Sequence, residues 1–155
     1  MKASFPFIRP LRRFTKSERG TQLVELAIVL PVFILMFAAV AEFGRFFYTY
    51  NTLAKSTRAG ARYLTASNKA TDDMAKSLVV YGTTDDGGSP ILSGLSPGNV
   101  EITREEAAPG FPVTVKVEIS GYTYEPIFDL GKLMGDSFSL RVAVRPSTTM
   151  RYVNN

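Results

Sequence analysis

GTQLVELAIVLPVFILMFAAVA, residues 20–41, carries no charge from Leu26 to Ala41, and the acid just before that run, Glu25, stands five positions beyond Gly20. Coiled as a helix at about 1.5 Å per residue, Leu23 to Ala41 reaches roughly 28 Å, close to the ~30 Å hydrocarbon core of a bilayer. One crossing of a membrane is therefore expected. Pro31 removes the backbone N–H that would have bonded to the carbonyl of Ala27, which predicts a local bend. An ionisable side chain at the edge of such a span costs free energy unless it has a partner or a task, so Glu25 is a candidate functional residue.

Working outward, the basic character of the chain lies in front of this run. Of 155 residues with net charge +4, the first twenty contribute Lys2, Arg9, Arg12, Arg13, Lys16 and Arg19 against Glu18 alone, and the remainder is close to neutral. A basic flank before an apolar segment is the pattern that keeps the N-terminus in the cytoplasm and sends the following part across. The expected organisation is a basic cytoplasmic leader over 1–20, a transmembrane helix over 21–41 and one small extracytoplasmic domain over 42–155. Nucleic acid is not an expected partner, because the positive charge adjoins the membrane segment and the rest is balanced. The chain has no cysteine and no histidine, which removes disulfides, Cys or His nucleophile–base chemistry and the usual zinc sites.

Two cuts of this N-terminus can be written. Ala39-Val40-Ala41 has the small-x-small form of a signal-peptidase site and would release a protein beginning at Glu42. A cut between Gly20 and Thr21 would instead leave Glu25 as the fifth residue of a chain that keeps its helix. The long leader, a periodic pattern that continues through Ala41, and the presence of Glu25 favour retention of the helix.

Beyond Ala41 an aromatic cluster, Phe43, Phe46, Phe47, Tyr48 and Tyr50, suits the outer membrane–water interface or the core of a helix lying on the soluble domain. Phe43, Phe46, Phe47, Tyr50, Leu53, Ala54, Thr57, Ala61 and Leu64 recur at spacings of three and four and predict one helix face continuing to about Ser67. Glu42 and Arg45 can pair along its flank. Lys55, Arg58 and Arg62 share another flank, a solvated face or a contact for lipid headgroups or an acidic partner. Gly60 costs about 1 kcal/mol of helix propensity relative to alanine, a cost explained by close packing of another backbone, from the domain's own sheet or from a neighbouring helix.

The run Arg19-Gly20-Thr21-Gln22-Leu23-Val24-Glu25-Leu26-Ala27-Ile28-Val29-Leu30-Pro31, with Glu42-Phe43-Gly44 and Arg58-Ala59-Gly60-Ala61-Arg62-Tyr63, resembles the TadE-like family of pilin-related proteins of the tight-adherence pilus system. The resemblance covers roughly Arg19 to Ala66. It implies a prepilin-peptidase cut between Gly20 and Thr21, and a role for Glu25 in docking onto a neighbouring subunit. It also implies residence in the bacterial inner membrane, with other pilins or pseudopilins, the assembly machinery, the peptidase and membrane lipid as partners. Where cleaved pseudopilins often have tyrosine after the glutamate, this chain has Leu26, so a processed subunit and an uncut signal anchor both stand.

In the remainder, Thr71 is a candidate N-cap with Asp72 and Asp73 in the first turn, Met74, Leu78 and Tyr81 form an apolar stripe, and Gly82 can close the helix. Asp85 and Asp86 read as part of a polar turn over Thr83 to Pro90. Val113, Val115, Val117 and Ile119 alternate with polar residues, as do Phe138, Leu140, Val142 and Val144, while Val100 and Ile102 suggest a shorter strand. Tyr122, Tyr124, Phe128 and Phe111 are expected to pack in the core or under loops. The expected fold class is α+β and pilin-like: a long N-terminal helix, transmembrane and then amphipathic, on an antiparallel sheet of three to four strands.

The functional expectation is an assembly protein, a minor pilin or pseudopilin, with no enzymatic activity and no cofactor. Two other classes remain: a single-pass anchor presenting a binding or adhesion domain, which needs neither Gly20 cleavage nor Glu25, and a secreted hydrolase beginning at Glu42, for which only dispersed Asp, Glu, Ser and Lys are at hand.

Overall fold

Helix α1, Glu18–Ala66, is the element on which the rest is built, and it passes through Pro31 without losing its helical assignment. The structure, a computed structural model, describes residues 18–85, 87–105, 113–128 and 139–152. The leader up to residue 17, and with it Asp86, Phe111 and Phe138, therefore lies outside the described residues. The chain divides into two compact units, one ending at Ala41 and the other beginning at Glu42.

In the first unit the apolar side chains of α1 are largely exposed among the described residues. Ile28 is 68% exposed and Phe37 71%, as expected for a segment whose solvent is lipid.

In the second unit α1 turns one face to the domain. Leu53, Thr57, Ala61 and Leu64 follow the helical repeat and are almost fully buried. Helix α2, Asp72–Tyr81, begins where the sequence predicts: the Thr71 hydroxyl accepts the Met74 N–H at 3.3 Å, and Asp72 and Asp73 occupy the positive first turn. It ends at Gly82, in the left-handed region at φ 76°, whose N–H donates to the Leu78 carbonyl at 3.0 Å. The predicted stripe of Met74, Leu78 and Tyr81 is not the buried face. Ala75, Ser77, Val79 and Val80 are buried, because α2 lies close against α1 and only small and β-branched side chains fit between them.

A 3-10 turn, Pro97–Asn99, leads into strand β1, Val100–Glu105. Strand β2, Thr114–Ile119, pairs antiparallel with β1 on one side and with β5, Ser147–Arg151, on the other. The register sets Ile102, Val117 and Thr148 in one row and Arg104, Val115 and Met150 in the next. Val115, Val117 and Ile119 thus lie at the centre of the apolar face, fully buried, with intervening Thr114, Lys116 and Glu118 less so. Strands β3, Tyr122–Tyr124, and β4, Val142–Val144, form a separate two-stranded ribbon.

The three-plus-two arrangement fulfils the expected α+β class with a small antiparallel sheet, but the second alternating run does not behave as predicted. Of Leu140, Val142 and Val144 only the last is buried, and the place beside β2 is taken by the polar β5. The reason is local: β2 accepts a strand whose inward positions, Thr148 and Met150, fit against α1, where the Thr148 and Thr57 hydroxyls meet at 3.1 Å.

Candidate functional site

The sequence candidates fall into two groups. Gly20, Thr21, Glu25 and Pro31 lie along the first turns of α1, with the Gly20–Thr21 bond inside the helix and Glu25 one turn beyond Thr21, on the same side. Thr21, Glu25 and Pro31 are exposed, and among the described residues Glu25 has neither a hydrogen-bond nor an ion-pair partner. This helix is long and apolar enough to cross a membrane, and none of its most apolar window is buried within the protein. Its exposed residues constitute a surface for lipid or for another helix, and Glu25 is an acid offered on that surface.

Gly60 belongs to the second unit and serves a different purpose. A Cβ placed there would stand 2.6 Å from Cγ2 of Val79 and 3.8 Å from Cγ1 of Val117. What approaches is therefore the domain's own α2, through the Val79 side chain and, at 3.5 Å, the Ala75 carbonyl, with the sheet strand β2 behind it. Lys55, Arg58 and Arg62 lie on the exposed flank of α1.

The residue that sequence reasoning assigned too small a part is Glu42. Only 7% exposed, its carboxylate accepts the hydroxyl of Tyr124 in a close hydrogen bond, the N–H of Ile127 at 3.2 and 3.3 Å, and the N–H of Phe128 at 3.4 Å. Its flank pairing with Arg45 is present but loose, at 3.6 Å. Burial, followed by the hydrogen bond to Glu42, pushes the Tyr124 phenol up to about 12, so it remains a proton donor at any physiological pH. Phe46 packs edge-on against Tyr124 with ring centroids 5.4 Å apart, and the Arg45 guanidinium lies 5.8 Å from the same ring's centre.

This arrangement corrects the predicted helix face. In the first turns beyond Ala41 the side chains turned inward are Glu42, Phe46 and Thr49, whereas Phe43, Phe47 and Tyr50 are 66%, 58% and 43% exposed. A polar set at 42, 49, 56 and 57 shares the buried face with Leu53. The signal was available in the spacing, which is helical if polar residues are counted, but apolar periodicity alone passes it over. Phe128, expected to pack beneath a loop, is 53% exposed, and Tyr122 and Tyr124 are core residues as expected.

A cleft of about 640 Å³ opens beside this set, bordered by Arg45, Tyr48, Leu92, Tyr122 and Glu125. Burial raises the Tyr122 phenol, whose hydroxyl donates to the Ser93 carbonyl at 3.3 Å. Elsewhere in the second unit, Asp72 and Arg104 form a close bidentate pair that ties α2 to β1, and the guanidinium also donates to the Tyr152 hydroxyl at 3.2 Å.

Residues 20–62 match the family model described as TadE-like protein, in agreement with the resemblance carried by the Gly20 to Pro31 run and the Arg58 to Tyr63 patch. The matched stretch contains Gly20, Thr21, Glu25, Pro31, Glu42 and Gly60, and it lies wholly on α1. No curated protein and no solved structure matches the chain.

Proposed function

We propose that this protein is a membrane-anchored, pilin-like component of the tight-adherence pilus system, acting as a minor pilin or pseudopilin and not as an enzyme. The observation that carries the reading is the coincidence of the TadE-like match with a helix whose apolar surface has no partner among the described residues. Helix α1 holds the protein in the inner membrane with its N-terminus cytoplasmic and presents the second unit outside. A prepilin peptidase cutting after Gly20 leaves Thr21 with a free ammonium. Glu25 of one subunit pairs with that ammonium on the next, setting the axial register while apolar helices pack side by side. In a low dielectric, leaving one half of such a pair unmatched costs several kcal/mol, of order 3 to 5, which makes register errors unfavourable.

Glu25→Ala is expected to leave membrane insertion intact and to impair incorporation into pili or pairing with other pilins. Normal piliation of that variant in a complementation assay would sink the docking role. Gly20→Ala is expected to block processing, read as the intact mass with and without the peptidase; an unchanged full-length mass of the parent chain in both cases selects the uncut anchor. Sequencing the mature N-terminus separates the models directly, since Met1, Thr21 and Glu42 each belong to a different one.

The cleft beside Arg45 and Tyr48 favours one second reading, an uncut single-pass anchor that presents an extracytoplasmic binding or adhesion domain. That reading is distinguished by indifference of binding to Glu25→Ala and Gly20→Ala.

A further inference from the structure

Ile127 and Phe128 are two consecutive large apolar side chains at the surface of the second unit, 64% and 53% exposed. Their backbone is not a free loop. Both N–H groups are bonded to the Glu42 carboxylate, Tyr124 two positions back from the turn's Pro126 donates to the same group, and Pro126 itself is buried. Glu42 follows Ala41, the last residue of the apolar run, so the residue that holds the turn is the first one beyond that run. At the same level α1 exposes Phe43, Phe47 and Tyr48.

We infer that the Glu125–Phe128 turn is a second membrane contact, seating Ile127 and Phe128 in the headgroup–acyl boundary beside α1. Two physical arguments favour lipid over another occupant. Irregular backbone enters a poorly hydrated region only when its polar groups are already satisfied, and the two N–H groups that would be stranded are the ones Glu42 accepts. Continuity with the span supplies the location, because the turn is pinned to the first residue beyond the uncharged run. Arg45, half-exposed and one turn along, stands where a guanidinium meets lipid phosphate while its stem stays on apolar surface. Buried Glu42 thereby acts as a positioning residue for a membrane-seated turn, orienting the domain on the bilayer before any subunit contact is made. The inference rests on α1 being a retained membrane anchor.

The chain contains no tryptophan, so a single introduced one reports its own surroundings. The full-length Phe128→Trp variant, and Ile127→Trp as a second probe of the turn, would be reconstituted in vesicles of phosphatidylethanolamine and phosphatidylglycerol carrying lipids brominated high on the acyl chain. Phe33→Trp marks the span, and Tyr63→Trp marks a point roughly 31 Å beyond Glu42 along α1 at about 1.5 Å per residue. Expected are blue-shifted emission and a loss of intensity in the turn variants comparable with that of Phe33→Trp, with none in Tyr63→Trp. Quenching of Phe33→Trp alone overturns the inference while leaving the anchor in place, whereas no quenching in any variant overturns the anchor and the inference together. A blue shift in the turn variants that is indifferent to bromination and grows with protein density overturns it in favour of a second copy of the chain.

Discussion

A carboxylate withdrawn from water needs donors, and Glu42 has three within the domain: the Tyr124 hydroxyl and the N–H groups of Ile127 and Phe128. Removing one by Tyr124→Phe is expected to cost about 1.5 to 3 kcal/mol, the range for a hydrogen bond to a charged group. Glu42→Ala should cost at least as much, because it leaves several buried donors unmatched. Urea or thermal denaturation of the detergent-solubilised full chain measures both, and the double variant should lose no more than Glu42→Ala does alone; strict additivity would show that the two side chains do not act on one another. The raised phenol also carries a sign. Its folded value of about 12 lies above the unfolded one near 10, so its contribution is complete below about pH 10 and is lost as pH rises through 12. Tyr124→Phe should lack that alkaline loss.

Asp72, paired with Arg104, titrates at the other end of the scale. The guanidinium beside Asp72 holds its carboxyl below the ordinary carboxylate value. A lowered folded value means stability present above the unfolded one, near 3.9, and lost as pH falls through the folded one. Both side chains are 42% exposed, so solvent screening keeps the pair to under about 1 kcal/mol. Melting temperatures of the parent and Arg104→Gln should differ at neutral pH and converge as Asp72 is protonated; a difference that persists in acid would assign the effect to packing against Tyr152 instead.

Among elements, α1 carries two glycines with opposite expectations. Gly60→Ala gains about 1 kcal/mol of helix propensity but drives a methyl into Val79, and overpacking of this kind costs about 1 to 3 kcal/mol or more. A net loss of stability is expected. At Gly44 an added Cβ meets nothing within 4 Å, so Gly44→Ala should stabilise the isolated protein by up to about 1 kcal/mol. Denaturation midpoints of the two variants moving in the same direction would contradict this packing. These elements also show how much of the fold was legible. The caps of α2 were readable because Thr71 and Gly82 act within one turn of their own chain, and β2 because Val115, Val117 and Ile119 alternate over a half-buried strand. β5 was not, since Ser-Thr-Thr-Met-Arg has little apolar signal and owes its place to the groups it meets on β2 and α1. β3 is too short to show a period at all. Gly20 and Glu25, the residues of the proposed processing and docking, stand out as a pattern, whereas the contacts of Glu42 do not, because they depend on donors more than eighty residues away.

At the scale of the molecule, those long separations have a consequence for order in time. Glu42 is satisfied from Tyr124 and Phe128, and the buried Thr57 meets Thr148, ninety-one positions later. A chain ending at Pro146 would lack β5, leaving one edge of β2 unpaired and the core open at Thr57. Such a truncation is expected to insert in the membrane yet fail to give a protease-resistant domain; limited proteolysis of the reconstituted protein checks it, and a resistant fragment of normal size would count against the role assigned to β5. Because Glu42 and Thr57 precede their partners in the chain, they are made before the groups that receive them. Each closing loop must span most of the domain, an entropic cost met only when the final strand arrives. Until β5 has been added, the core stays open at Thr57 and the domain stays accessible to chaperones and proteases, so the arrival of that strand is itself the checkpoint for a closed domain.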